Sequence, residues 1–213
     1  NIHFSNSKPN GVNINLDCGA LEPERLLDHV RTGGYAYGVA FDGDGDRSIF
    51  VSADYGVIES EKMVCLFYQI LSSSQNSNVV VSTEICNLAL AHNLQEIGAS
   101  LIETEVGDRF VTEATKDKHA ILGAEPSGHY HFPAISKSMD GFLGLMYFLR
   151  VLNVYGKNLP GELYVLKHYD RVVKNIDIKQ VEAIDLAYIR QKMLIKIKPN
   201  EEKLVIRQSM WDP

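Results

Sequence analysis

Along most of this chain, short apolar runs alternate with longer stretches whose apolar residues recur every three or four positions. YGVAF (37–41) and RSIFVSA (47–53) are continuous enough to read as strands, with an acidic turn between them. SEKMVCLFYQIL (60–71) has helical spacing, with Ser60 as its expected N-cap. NVVVST (78–83) reads as a strand and EICNLALAHNLQEIG (84–98) as a helix closed by Gly98. ASLIETEV (99–106) is a strand, DRFVTEATKDK (108–118) a short helix and HAILGAE (119–125) a strand. After a loop, DGFLGLMYFLRVLNVYG (140–156) is a helix. Strands alternating with helices predict an α/β fold with mixed, largely parallel sheets flanked by helices.

Beyond Gly161 the texture changes. ELYVLKHYDRVVKNIDI (162–178) is alternating and charged, and QVEAIDLAYIRQKML (180–194) is amphipathic at helical spacing. LIKIKPNEEKLVIRQS (194–209) reads as two strands around a turn, so this tail is expected to be a separate α+β segment. SSSQNSN (72–78) is the stretch most like a linker. There is no internal repeat.

Composition narrows the class. At 213 residues and 45% hydrophobic, the chain can bury a sizeable core in one large or two small domains. A net charge of −6 excludes a general basic surface for nucleic acid or anionic membrane. No apolar run approaches the roughly 18 residues of a membrane span. The three cysteines, Cys18, Cys65 and Cys86, form no CxxC pair and fit reduced thiols in a cytoplasmic protein. The N-terminus is polar, is not a signal peptide and lacks an initiator Met, so a processed chain or a piece of a longer one is expected.

The acidic turn carries the first chemistry. In FDGDGDR (41–47), Asp42, Asp44 and Asp46 stand at alternate positions after a strand, and the intervening glycines let the loop fold back so that the carboxylates converge. Converging carboxylates need a cation to offset their repulsion, and oxygen ligands favour a hard ion such as Mg²⁺. Three other readings compete: a solvated turn, a calcium loop and an aspartyl-phosphate phosphatase. The calcium loop wants Gly sixth and Glu twelfth, where this chain has Arg47 and Ala53. The phosphatase wants a hydroxyl or apolar residue where Asp46 stands, and a later acidic pair that is absent.

The second chemistry-bearing stretch is GAEPSGHYHF (123–132). Glu125 can accept from sugar hydroxyls, Ser127 can donate or accept, and His129 can exchange protons near neutral pH. Alone, it also reads as a satisfied polar turn. No Asp is clearly placed to orient His129, which argues against a serine-hydrolase triad.

Taken together, FDGDGDR and, about 80 residues later, GAEPSGH resemble the metal-binding and sugar-binding loops of the α-D-phosphohexomutases, here with Ala124 between the Gly and the Glu. KPNGVNINLDCGALEPERLLDHV (8–30) resembles that family's segment before the metal loop, and SMDGFLGLMYFL (138–149) the helix start after the sugar loop, at Asp140 and Gly141. TEVGDRFVTEA (104–114) is similar to the phosphoglucosamine mutase branch, which makes Asp108 and Arg109 branch-marking substrate-site candidates. Asp108 as a helix N-cap and Arg109 as a surface residue are the alternative.

The resemblance implies Mg²⁺ held by Asp42, Asp44 and Asp46 together with a phosphoserine oxygen, and Arg47 beside the substrate or the phosphoserine. It implies that Glu125 and Ser127 bind hexose hydroxyls and that His129 assists proton transfer. The implied activity interconverts hexosamine 6-phosphate and 1-phosphate, glucosamine foremost, through a bisphosphate. Phosphoglucomutase or phosphomannomutase activity, or a non-catalytic sugar-phosphate-binding protein, stand as alternatives. The expected domains are 1–57 (end of domain 2), 58–168 (domain 3) and 169–213 (start of domain 4). The family's serine-nucleophile motif is absent; the His-Asn of LAHNLQ (90–95) lies in an expected helix and is read as a decoy. Domain 1 and the rest of domain 4 are therefore expected as partners in the same polypeptide, and a homodimer is open. In IRQSMWDP (206–213), Arg207 and Ser209 match the family's phosphate loop, while Met210, Trp211 and Asp212 depart from it.

Overall fold

The computed structural model describes residues 2–170. The chain divides into two compact units, residues 1–168 and 169–213, and every element named here belongs to the first. In order these are α1 (Pro23–Thr32), β1 (Tyr37–Phe41), β2 (Ser48–Ser52), β3 (Gly56–Ile58), α2 (Ser60–Ser72), β4 (Val79–Thr83), α3 (Ala89–Glu96), β5 (Ser100–Thr104), α4 (Asp108–Asp117), β6 (Leu122–Ala124), β7 (Tyr130–His131), α5 (Gly141–Tyr155) and α6 (Leu159–Val165).

They build two sheets. The first, β1-β2-β3, is an antiparallel meander with Phe41 opposite Ser48 and Tyr37 opposite Ser52. Its connections are short loops, and a parallel pairing would need a crossover of a dozen or more residues. The second, in the order β5-β4-β6-β7, is the parallel one: β4 runs parallel to both β5 and β6, which helices α3 and α4 make possible by returning the chain. The edge strand β7 is antiparallel to β6. The α/β class thus holds, with the parallel character confined to the second sheet.

Alternation along β4 separates two apolar layers, because successive side chains of a strand point to opposite faces. Val80 joins the larger cluster with α2, α3, α5 and α6, and Val81 joins a smaller one with Val111 of α4, Ala120 and Met139. A third cluster packs Leu27 and Val30 of α1 on Val51. Phe50 of β2 ties the meander to the rest: fully buried, it stacks on Phe148 at 4.4 Å and meets Phe67 edge-on at 6.2 Å.

Several local expectations change. Ser60 is the first residue of α2 rather than its cap; Glu59 precedes it, and no side chain caps that end. The helix expected over 84–98 begins only at Ala89, because Asn87 turns the chain: its side-chain oxygen accepts from Ala89 N and its own N–H donates to Glu61 Oε1, both at 2.9 Å. Gly98, at φ +83°, does stand just past the end of α3. The linker-like 72–78 stretch joins α2 to β4 inside the first unit. Residues 162–165, read as alternating, belong to α6. The helix and strand expectations for 180–209 lie outside the described residues.

His131 of β7 is buried, with Nδ1 2.7 Å from Thr115 Oγ1 and Nε2 3.2 Å from Ser136 O. The Ser136 carbonyl fixes Nε2 as a donor, while Nδ1 meets a threonine hydroxyl that also lies 2.7 Å from Thr112 O and 3.0 Å from Val111 O. Burial holds its pKa below the ordinary value of 6.5, against a smaller opposite pull from the Ser136 carbonyl.

Two outcomes test this packing. Phe50→Ala should lower the unfolding free energy of the chain by about 3–5 kcal/mol in urea titrations followed by circular dichroism; a loss under about 1 kcal/mol would contradict the role given to Phe50. For His131, the unfolded state takes up the proton more readily, so its contribution is complete above about pH 6.5 and is lost as pH falls below that. The drop in stability between pH 7.5 and 5.5 should therefore be smaller in His131→Gln than in the parent chain. Equal drops would show that His131 is not held neutral.

Candidate functional site

The acidic loop is the β1–β2 connection, and one carboxylate oxygen from each of Asp42, Asp44 and Asp46 lies within 4.8 Å of the others. Asp42 Oδ1 accepts from Arg47 N at 3.1 Å, a bond that closes the loop on itself. The Asp42 side chain is only 4% exposed, and Arg47 Nε stands 2.7 Å from its Oδ2 and 3.9 Å from Asp46 Oδ1. These are ion-pair distances without hydrogen-bond alignment: Asp42 Oδ2, Asp46 Oδ1 and Arg47 Nε are buried with no hydrogen-bond partner. Two buried carboxylate oxygens in that condition are costly unless a cation completes them.

The charges bear this out. Burial pushes the Asp42 carboxyl up, but the Arg47 N–H and guanidinium outweigh it and hold the group below the usual carboxylate range. Asp46 is held above that range, first by burial and then by repulsion from Asp42 and Asp44, which His129 only partly offsets. One loop thus contains a carboxylate stabilised by its own arginine and another that its neighbours destabilise.

The second loop joins β6 to β7 and carries Glu125, Ser127, Gly128 and His129. It folds as a turn on Glu125, whose O accepts from Gly128 N at 3.1 Å and whose N donates to His129 O at 3.0 Å. His129 Nδ1 lies 2.8 Å from Glu125 Oε2 and 2.9 Å from Ser127 Oγ. Glu125 Oε1 accepts from Gly107 N at 3.1 Å, which ties the start of α4 to the same carboxylate.

The two loops meet directly. Arg47 and His129 form an antiparallel bridge, and Ser48 N donates to Gly128 O at 3.0 Å. His129 Nε2 consequently reaches Asp46 Oδ1 at 3.2 Å, while its Nδ1 is on Glu125. Burial disfavours the charged imidazole, but Glu125 and Asp46 outweigh burial and a nearby Arg47, so its pKa is raised above 6.5. Gly128 makes the approach possible: it sits at φ +91°, and a Cβ there would lie 2.5 Å from Ile49 Cδ1 and 3.0 Å from Ser48 O.

Of the residues singled out by sequence, the fold brings together Asp42, Asp44, Asp46, Arg47, Glu125, Ser127 and His129. Asp108 opens α4 directly after Gly107. It is not the N-cap: Gly107 holds that position and no side chain caps the helix. Arg109 is 80% exposed and pairs at 2.8 Å with Glu113 one turn on. Arg207 and Ser209 lie outside the described residues. The asparagine of LAHNLQ has a structural use: Asn93 is buried in α3, donating to Lys167 O and accepting from Lys167 N, each at 2.9 Å. Sequence reasoning missed Gly107, whose N–H orients Glu125; a glycine directly before the helix-opening Asp108 was its only signal. It also missed Lys62, buried on α2 with Nζ 2.7 Å from Tyr55 Oη and 2.8 Å from Leu163 O. Among the described residues no helix is long and apolar enough to cross a membrane.

Comparison with known proteins bears on the family and the fold. Residues 59–169 match the family described as phosphoglucomutase/phosphomannomutase, alpha/beta/alpha domain III. A phosphoglucosamine mutase of Nitratidesulfovibrio vulgaris is 35% identical over 176 residues, covering 82% of this chain and 39% of that protein. One from Citrifermentans bemidjiense is 33% identical over 214 residues, covering 97% of this chain and 46% of its own. The chain therefore spans less than half the length of these curated relatives. A phosphoglucomutase/phosphomannomutase family protein from Burkholderia thailandensis superposes with a TM-score of 0.63 at 25% identity, over 70% of this chain and 33% of that one. A phosphomannomutase-like structure from Thermus thermophilus shares the fold, with a TM-score of 0.60 at 20% identity over 68% of this chain and 34% of that one. With a domain III match over half its length and relatives above 30% identity across most of the rest, this chain belongs to the phosphoglucomutase/phosphomannomutase family.

Proposed function

We propose that this chain supplies the metal-holding and sugar-holding loops of a phosphosugar mutase that interconverts hexosamine 6-phosphate and 1-phosphate, with glucosamine as the sugar. On this reading residues 1–57 end domain 2, 58–168 form domain 3 and 169–213 begin domain 4, and the protein works in the cytoplasm. The observation that carries it is the Arg47–His129 bridge, which sets the three-aspartate loop against Glu125, Ser127 and His129. The names of the relatives support the choice of sugar.

The donor set fits a hard divalent cation. Three carboxylates offer only oxygen, their ligand atoms lie within 4.8 Å of one another, and two of the buried oxygens lack a hydrogen bond. Asp42, Asp44 and Asp46 would hold Mg²⁺, which when bound withdraws charge from phosphoryl oxygens in transfer.

The chain's own residues do the rest. Glu125 and Ser127 grip hexose hydroxyls, and because the sugar must present two different hydroxyls in turn, a short polar grip serves better than a deep shaped pocket. The grip is oriented from behind by Gly107 N–H on Glu125. His129, whose charged form Glu125 and Asp46 favour, is placed to exchange a proton with the reacting hydroxyl. Arg47 neutralises Asp42 and, on this reading, lies beside the substrate or the phosphoserine. In the cycle that the family implies, a phosphoserine elsewhere in the polypeptide phosphorylates the free hydroxyl, the bisphosphate turns over, and the other phosphate returns to the serine. Arg207 and Ser209 would hold the phosphate that is not reacting. The replacement of the family's Gly-Thr-Glu by Met210, Trp211 and Asp212 favours a second reading, a mutase-like protein that binds sugar phosphate without turning it over.

Asp44→Asn should weaken Mg²⁺ binding by at least tenfold in calorimetry and leave the circular dichroism spectrum unchanged; an unaltered affinity removes the metal assignment. Glu125→Ala should weaken glucosamine 6-phosphate binding by roughly tenfold with Mg²⁺ affinity within twofold of the parent, as one to two hydrogen bonds to a charged group are lost. If both affinities stay as they were, Glu125 does not hold the sugar.

A further inference from the structure

The first turn of α5 ties the two loops together, and it does so largely through residues that have no side chain. Asp140 N donates to Tyr130 O at 3.1 Å, on the strand that leaves the sugar loop, and the Asp140 carboxylate caps the helix by accepting from Leu143 N at 2.9 Å. The next residue turns to the other loop: Gly141 N donates to Gly45 O at 3.0 Å, in the middle of the acidic sequence. Two consecutive residues thus bond one to each side of the site.

The approach leaves no room for a methyl group. A Cβ on Gly141 would stand 2.5 Å from Arg47 O and 2.8 Å from Gly45 O. Both are main-chain atoms of the acidic loop, so neither can swing aside as a side chain would. One turn on, a Cβ on Gly144 would overlap Ser48 Oγ and lie 3.3 Å from Tyr130 Cδ2. That hydroxyl is buried with no hydrogen-bond partner, so nothing but space determines where it sits.

We propose that Asp140, Gly141 and Gly144 are positioning residues for the acidic loop, fixing its carboxylates at the separation from Glu125 and His129 that one sugar phosphate with its cation requires. This rests on the reading that Asp42, Asp44 and Asp46 hold a divalent cation. Gly141 acts on the main chain of residues 45–47, Gly144 on the side chain of Ser48, and Asp140 on the strand that leaves the second loop, so their replacement should move the acidic loop while the two sheets remain as they are.

The test uses the 213-residue chain and three variants: Gly141→Ala, Gly144→Ala and the double variant Ser48→Ala with Gly144→Ala. Calorimetry reads Mg²⁺ affinity, and amide exchange reads the protection of β4 and β5. Gly141→Ala should bind Mg²⁺ at least tenfold more weakly while β4 and β5 keep the protection of the parent chain. Gly144→Ala should lose several-fold, and removing the Ser48 hydroxyl should restore most of that loss, because the added methyl takes its place. The conservative rescue separates placement of the loop from general destabilisation. A folded Gly141→Ala chain with the parent's Mg²⁺ affinity overturns the proposal, as does a Gly144→Ala loss that the double variant fails to recover. Should Gly141→Ala not fold, the Gly144 pair decides alone. A parent chain that binds no Mg²⁺ overturns the metal reading and this inference with it, an outcome distinct from a parent site that these variants leave untouched.

Discussion

Three carboxylates on alternate residues will separate unless something stronger than their repulsion holds them. Here the restraint is main-chain hydrogen bonding. The acidic loop is closed on itself by Arg47 N to Asp42, joined to the sugar loop through Ser48 N to Gly128 O, and joined to α5 through Gly141 N to Gly45 O. Side chains could yield to the repulsion by rotating; peptide groups fixed in this way cannot. The result is a loop whose buried oxygens Asp42 Oδ2 and Asp46 Oδ1 lack aligned hydrogen bonds and are offset by Arg47 and His129, an arrangement that a bound cation would complete.

The rest of the first unit follows from keeping that geometry. The meander must stand at a set distance from the parallel sheet, and the stacked rings of Phe50 and Phe148, with Phe67 and Tyr130 beside them, supply a rigid spacer between β2 and α5. The helix that meets the spacer at its middle meets the acidic loop at its start, so one element sets both distances. His129 is the electrical counterpart of this arrangement. Beside a carboxylate of each loop, its charged form is favoured by the same proximity that the packing enforces.

Much of this was legible along the chain where chemistry and local sequence coincide. FDGDGDR and GAEPSGH concentrate their ligands within a few residues, so convergence within each loop needs only a turn. That the two loops touch does not follow from either motif, since the Arg47–His129 bridge spans two sheets. The helix starts were misjudged for a physical reason: Asn87 spends its side chain on Ala89 N and shortens α3, and Ser60 faces the interior instead of capping. The polarity of the first sheet was hidden because a buried strand reads the same in either direction. The His-Asn of LAHNLQ reads as a decoy from its place in a helix, but only the fold shows the Asn93 amide bonded to the backbone of Lys167. Gly141 carried a signal of resemblance, but its use lies in a missing methyl group, which a sequence does not display.

A divalent ion held by Asp42, Asp44 and Asp46 would sit within reach of His129. Paramagnetic relaxation by Mn²⁺, a substitute for Mg²⁺, reads that distance in solution from the imidazole protons of the assigned histidines. Substoichiometric Mn²⁺ should broaden His129 well before the exposed His3 or His119, and excess Mg²⁺ should reverse the effect. Broadening that touches all these histidines alike, or that spares His129, would contradict it.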